Sequence, residues 1–175
     1  MNLIERSLKR IAKGDMEAIS DIYDEMNSSL YGYILSFLKN PEEAEDVLQD
    51  TYIKICQSAS LYRPMGKPMA WIFTIARNLA LMKLRTRSRE ADLEDYEWDN
   101  LSDGRSDFHV EDRTVLEAAL NKLSKEESQI VMLHAVSGMK HREIAEMYDM
   151  PLATVLSKYN RALKKLQKEL ESQDI

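Results

Sequence analysis

The chain has 175 residues, a net charge of −6 and a 44% hydrophobic composition with 7% aromatics, which suits one ordinary domain or two small ones with modest cores. No apolar run approaches the roughly 18 residues that cross a bilayer, and "MNLIERSLKRIAKGD" at the N-terminus has no signal-peptide core, so a protein without membrane insertion is expected. The single cysteine, Cys56, has no internal disulfide partner, which agrees with a reducing, cytoplasmic setting.

Only five Gly and four Pro punctuate the chain, and β-branched runs are scarce, so an all-α protein is expected. The first long helix falls in "DMEAISDIYDEMNSSLYGYILSFL", with Met16, Ile19, Ile22, Tyr23, Met26, Leu30, Ile34 and Leu38 at helical spacing. The next starts at "NPEEAEDVLQDTYIKI". Asn40 suits the N-cap, Pro41 the first turn, and Glu43 a capping box. Its apolar stripe is Ala44, Val47, Leu48, Tyr52 and Ile55, and Cys56 beside it reads as a buried structural thiol. A loop with two prolines, "YRPMGKP", leads into the long helix "MAWIFTIARNLALMKLRTR".

Residues 88–112 carry two basic and ten acidic groups and no sustained apolar period. The flanking stretches, 1–87 and 113–175, are each close to neutral. This strip reads as a mobile linker. After it, "VLEAALNKLSKEESQIVMLHAVSG" reads as two helices broken near Ser124, an N-cap with Glu127 at N3, and ended by Gly138. "MKHREIAEMYDMPLATVLSKYNRALKKLQKEL" follows as a short helix, a tight turn and a long helix. The expected architecture is therefore two small helical domains, 1–87 and 113–175, joined by an acidic flexible linker, the C-terminal one containing a helix-turn-helix.

The two final helices carry that motif. Met139 and Ile144 fit a hydrophobic staple with Glu143 at N3. Ala145 permits a close crossing, Tyr148-Asp149-Met150 makes the turn and Pro151 opens the last helix. Val155, Leu156, Tyr159, Ala162, Leu163, Leu166 and Leu170 form its expected core stripe. Ala153, Thr154, Ser157, Lys158, Arg161 and Lys165 are the candidate contacts to duplex DNA, small polar groups for base edges and cations for phosphate. An ordinary amphipathic helix with a solvated lysine face fits the same stretch.

From Thr51 to Arg89 there are eight Lys or Arg and no acid, with Tyr52, Tyr62, Trp71 and Phe73 interleaved. Tyr62, Arg63, Trp71, Thr74, Arg77, Asn78, Lys83 and Arg85 are the candidate contacts to single-stranded nucleic acid, where bases stack on rings and cations follow the backbone. A core role for Trp71 and Phe73 with solvated cations is the alternative. Glu45, Asp46, Gln49 and Asp50 form an acidic row that would repel DNA and could dock a basic protein surface. His109, His134 and His141 lack ligand spacing with Cys56 or one another, and no Gly-rich phosphate loop is present. No catalysis, metal or cofactor is expected, and His134 reads as a satisfied core residue.

"NPEEAEDVLQDTYIKI", "AWIFTIARNLALMKLR" and "GMKHREIAEMYDMPLATVLSKYNRALKKL" together resemble, in order, segments of the extracytoplasmic-function (ECF) sigma factors of the sigma-70 family. The resemblance implies a non-enzymatic, cytoplasmic initiation factor that binds core RNA polymerase and directs it to promoters. It implies a region 2-like domain over 1–87, with the row Glu45–Asp50 on polymerase, the Tyr62–Pro68 loop and the Asn78 face on the melted non-template strand of the −10 element. It implies a region 4-like domain over 113–175 that reads the −35 duplex, a connector at 88–112, and an anti-sigma factor as partner. The chain departs from the family where Ser or Thr is usual (Lys140), where Gly is usual (Asp149), where a basic residue is common (Leu156) and where Arg is common (Lys158). A stand-alone helix-turn-helix regulator and a helical interaction protein without nucleic-acid role are the other readings.

Overall fold

Apolar residues at helical spacing give a helix-only fold, and the structure, a computed structural model, describes residues 2–91 and 118–173 with no strand among them. The chain divides into two compact units, Met1–Arg105 and Ser106–Ile175. The acidic linker expected over 88–112 lies outside the described residues from 92 onward, and residues 88–91 are helical.

In the first unit α1 (Leu3–Ala12) starts on Asn2, whose side chain accepts the Ile4 N–H at 3.0 Å. Gly14, at φ 95°, turns the chain into a 3-10 turn, Met16–Ala18, before α2 (Ile19–Leu38) begins. Met16 and Tyr23, expected in the α2 stripe, are consequently exposed, whereas Ile22, Met26, Leu30, Ile34 and Leu38 are buried. From Ser29 to Leu38 every residue of α2 is buried, as befits a central helix packed by α1, α3 and α4. Tyr33 anchors that centre, edge-on to Phe37 and to Phe73 at 5.1 Å each. The buried hydroxyl of Ser29 donates to the Met26 carbonyl at 3.0 Å, so it is not left open.

Helix α3 (Pro41–Ser58) starts as expected on Asn40, which accepts the Glu43 N–H at 3.1 Å. Glu43 does not complete a capping box: its carboxylate pairs with Arg87 at 3.0 Å. The same guanidinium donates to the Leu38 carbonyl at 3.0 Å. Tyr52 lies at the edge of the α3 stripe, its hydroxyl donating to Asn27 at 3.1 Å, and burial followed by the nearby Tyr23 pushes that hydroxyl's pKa up. Thr51 takes the core place, its hydroxyl turned back to the Val47 carbonyl at 2.7 Å. Cys56 is half-buried rather than sealed in, and burial raises its thiol pKa. A 3-10 turn, Ala59–Leu61, and the loop lead to α4 (Pro68–Ala91).

The second unit opens with helical residues 118–121; the beginning of the helix expected there lies outside the described residues. Ser124 then caps α5 (Lys125–Val131) with the reciprocal Glu127 capping box. The helix continues through a π-turn, Met132–Val136, and Gly138 at φ 77° ends it. Helix α6 (His141–Met147) and α7 (Leu152–Gln173) complete the unit. Lys140 offers no acceptor to cap α6, but the Glu143 carboxylate accepts the Lys140 N–H at 2.9 Å. Asp149 takes φ 50° in the turn, the left-handed geometry that Gly would adopt without strain. Leu123, Val131 and Ala162 form one buried cluster with Tyr159 and Leu166 packed on it, and Ile130, Leu133, Ile144 and Val155 are buried as well. Leu156, Leu163 and Leu170 are exposed, contrary to the expected stripe, because the buried line of α7 centres on Val155, Tyr159, Ala162 and Leu166.

Candidate nucleic-acid interface

On α3, Asp46, Gln49 and Asp50 are exposed and Glu45 is half-exposed, on the side away from Ala44, Val47, Leu48, Thr51 and Ile55. The four sequence-predicted residues thus stand together. Ile53, also exposed, continues the row one turn on and was missed, since an isoleucine in an amphipathic helix reads as core.

On α4 the core takes Ile72, Phe73, Ala76 and Ala80. Trp71 is half-exposed and meets Tyr62 edge-on at 5.5 Å, while Phe73 is fully buried, so the two rings separate into surface and core. Thr74, Asn78 and Arg85 are exposed on the open side with Trp71, and Arg63 is exposed in the neighbouring loop. Arg77 and Lys83 are half-buried and do not join them: Lys83 follows Ala76 and Ala80 at helical spacing on the packed side, and Arg77 flanks it. Leu61, the last residue of the 3-10 turn, and Met65 in the loop are 74% and 78% exposed. The sequence signal for Met65 is only its position in a Pro- and Gly-bearing loop, and Leu61 has none. Burial, then the Glu5 charge, raises the Tyr62 pKa, so that ring is neutral.

On α7 the open side carries Ala153, Ser157 and Arg161, with Thr154 half-buried. Lys158 and Lys165 are not free cations. Lys158 is paired with Glu126, and Lys165 with Glu127 at 2.7 Å. Glu127 is buried; burial alone would raise its pKa, but the Lys165 ammonium and the Ser124 N–H outweigh that and hold it below the usual carboxylate range. Lys164 and Lys168 are exposed.

Behind the turn, His134 and His141 stack at 3.7 Å and both meet Tyr159 edge-on. His134 is half-exposed and not in the core, but it is satisfied: its Nδ1–H donates to the Met139 carbonyl at 2.7 Å. Burial, then the charge of His134, lowers the His141 pKa. Among the described residues no group of three or more His, Cys, Asp or Glu could hold a metal ion, and no helix is long and apolar enough to cross a membrane.

Residues 22–90 match sigma-70 region 2 and residues 113–166 match sigma-70, region 4. The ECF RNA polymerase sigma factor EcfG of Rhodopseudomonas palustris (strain TIE-1) is 30% identical over 140 residues, 79% of this chain and 77% of that protein. The chain belongs to the ECF sigma factors. The ECF RNA polymerase sigma factor SigK of Mycobacterium sp. (strain KMS) is 26% identical over 91% of this chain and 86% of that protein. Among solved structures, the sigma factor RpoE in complex with the anti-sigma factor NepR from Bartonella quintana matches with a TM-score of 0.67 and 26% identity, over 86% of this chain and 97% of that one. CnrH in complex with the cytosolic domain of CnrY gives 0.65 at 22% identity over 98% and 99% of the two chains, a likeness of fold. As an ECF sigma factor this chain is an initiation subunit that directs RNA polymerase to promoters, and it is not an enzyme.

Proposed function

We propose that the three faces divide the work of this ECF sigma factor. The domain over 1–87 docks on core RNA polymerase through Glu45, Asp46, Gln49 and Asp50, whose side of α3 is too acidic for DNA and open to a basic protein surface. The loop after α3 and the open side of α4 take the melted −10 strand. The observation that carries this is the half-exposed Trp71–Tyr62 pair beside exposed Thr74, Asn78 and Arg85, an aromatic platform with amide and cation next to it. Arg77 and Lys83, half-buried, add positive potential from behind rather than direct contacts. The domain over 113–175 reads the −35 duplex with Ala153, Thr154, Ser157 and Arg161, helped by Lys158 and Lys165 where they leave their carboxylates. Residues 88–112 connect the two, the protein acts in the cytoplasm, and an anti-sigma factor, such as NepR is to the related RpoE, holds it inactive.

The test separates the faces. Asp50→Lys is expected to abolish co-purification with core polymerase. Arg161→Ala is expected to leave co-purification intact and to weaken initiation selectively at promoters that depend on their −35 element. If both substitutions had the same effect, or if the wild-type chain failed to retain core polymerase, the assignment of faces would be wrong.

A further inference from the structure

A recognition helix meets base edges with its N-terminal half. In α7 that half exposes Leu152, Ala153, Leu156, Ser157 and Asn160. The first cation along the helix, Lys158, is half-buried and paired with Glu126. Arg161, the next, turns its Nε back to the Ser157 carbonyl at 3.4 Å. The base-reading surface is therefore short of the bidentate donors that select guanine.

What it has instead is aliphatic carbon. Leu156 is 39% exposed and Leu152, one turn earlier, 38% exposed, both on the flank of α7 opposite Lys158 and Lys165. The unit's own core does not need them, since Val155, Tyr159 and Ala162 supply its contacts to α7. Leucine has neither donor nor acceptor, so it gains nothing from the polar edges of guanine, cytosine or adenine. The major groove offers one apolar group, the C5-methyl of thymine.

We propose that Leu156 is a specificity-determining residue of the duplex contact, packing on a thymine methyl within the −35 element. This rests on the reading of α7 as the −35 helix and adds the base class that one of its residues selects.

Holoenzyme reconstituted from the full chain and core polymerase would select promoters from a library randomised across the −35 element. One position is expected to be enriched in thymine with the wild type and to move toward guanine with Leu156→Arg, since Arg can fork onto the guanine edge. Replacing that thymine by deoxyuridine removes only the methyl. Initiation by the wild type is expected to fall about fourfold, the worth of one buried methyl, and initiation by Leu156→Ala to be unchanged by the replacement. Equal losses in the two proteins, or no Leu156-dependent thymine, would overturn the proposal while leaving the −35 reading in place. Indifference of the wild type to the whole −35 element would bring down that reading, and the proposal with it. An unchanged helical circular dichroism spectrum and Tm of Leu156→Ala show the variant folded; loss of core polymerase by that folded variant would mean that the exposed leucines seat polymerase instead of DNA, and the proposal fails.

Discussion

Helices α4 and α7 are each the long last described helix of their unit, and each is strongly basic, yet they use their cations differently. In α4 the half-buried Arg87 serves the joint between α2 and α3, while Arg85 and Arg89 stay exposed. In α7 two lysines hold carboxylates of α5. The first unit wraps three helices around a buried α2, and its ion pairs, such as Arg87–Glu43 and Arg10–Asp15, lie outside that centre. Among the described residues of the second, α5, α6 and a few preceding residues cover a helix of 22 residues, and ion pairs join its buried cluster. The lesson is that a basic helix on a small unit overstates its capacity for DNA, because part of the charge is structural.

The comparison breaks most visibly if the first unit does not depend on its centre. Tyr33→Ala removes a fully buried ring with two aromatic neighbours and is expected to cost about 3–5 kcal/mol in denaturant unfolding followed by circular dichroism. Next in size is the ionic latch. Lys165→Ala strands the buried Glu127 and is expected to cost about 1–2 kcal/mol, whereas Lys168→Ala, exposed, should change stability by less than about 0.5 kcal/mol. In promoter binding by the holoenzyme the order reverses, with Lys168→Ala giving the larger drop in salt dependence if it faces phosphate. Equal stability losses would mean the latch is ornamental.

Smaller effects sharpen the account of the second unit. Asp149→Gly relieves a left-handed turn and is expected to stabilise by about 0.5–1 kcal/mol, read as a raised Tm. The lowered pKa of His141 means the unfolded chain takes up its proton first as pH falls. Its contribution is complete above the ordinary imidazole value, about 6.5, and is lost as pH drops toward the folded pKa. Melting at about pH 5.5 should therefore begin earlier than at about pH 7.5, and His141→Gln should flatten that difference. A second loss follows in the carboxylate range as Glu127 protonates and lets go of Lys165.

Local chemistry was legible in the sequence, and distant chemistry was not. Asn40, Ser124 and Gly138 act within a few residues of themselves, and each caps its helix as its type and position suggest. The partners of Lys158 and Lys165 lie 32 and 38 residues upstream, so a basic stripe could not announce that it was spoken for. Glu43 has the spacing of a capping box, and Arg87 from another helix outcompeted the backbone for it. Spacing also left two adjacent arcs of leucine on α7, and only the positions of α5 and α6 decide that Val155 and Ala162 turn inward while Leu156 and Leu163 stay outside. The π-turn at Met132–Val136 has no residue signature; it accompanies the His134 bond to the Met139 carbonyl, a contact made beyond the helix end. Of the candidate contacts, the acidic row stands together on one side of α3, Arg77 and Lys83 are half-buried on α4, and Leu156, expected in the core of α7, is exposed.

The Arg87 contacts have a consequence at the far end of α4. Helix termini fray, and three residues separate Arg87 from the last described helical position, Ala91. With the guanidinium fastened to Glu43 and to the Leu38 carbonyl, amides up to that point should exchange slowly with deuterium and those of Ser88 to Ala91 quickly. The end of the described part of α4 is thereby pinned at one bolt, and replacing Arg87 by Met would let fraying work back along the helix.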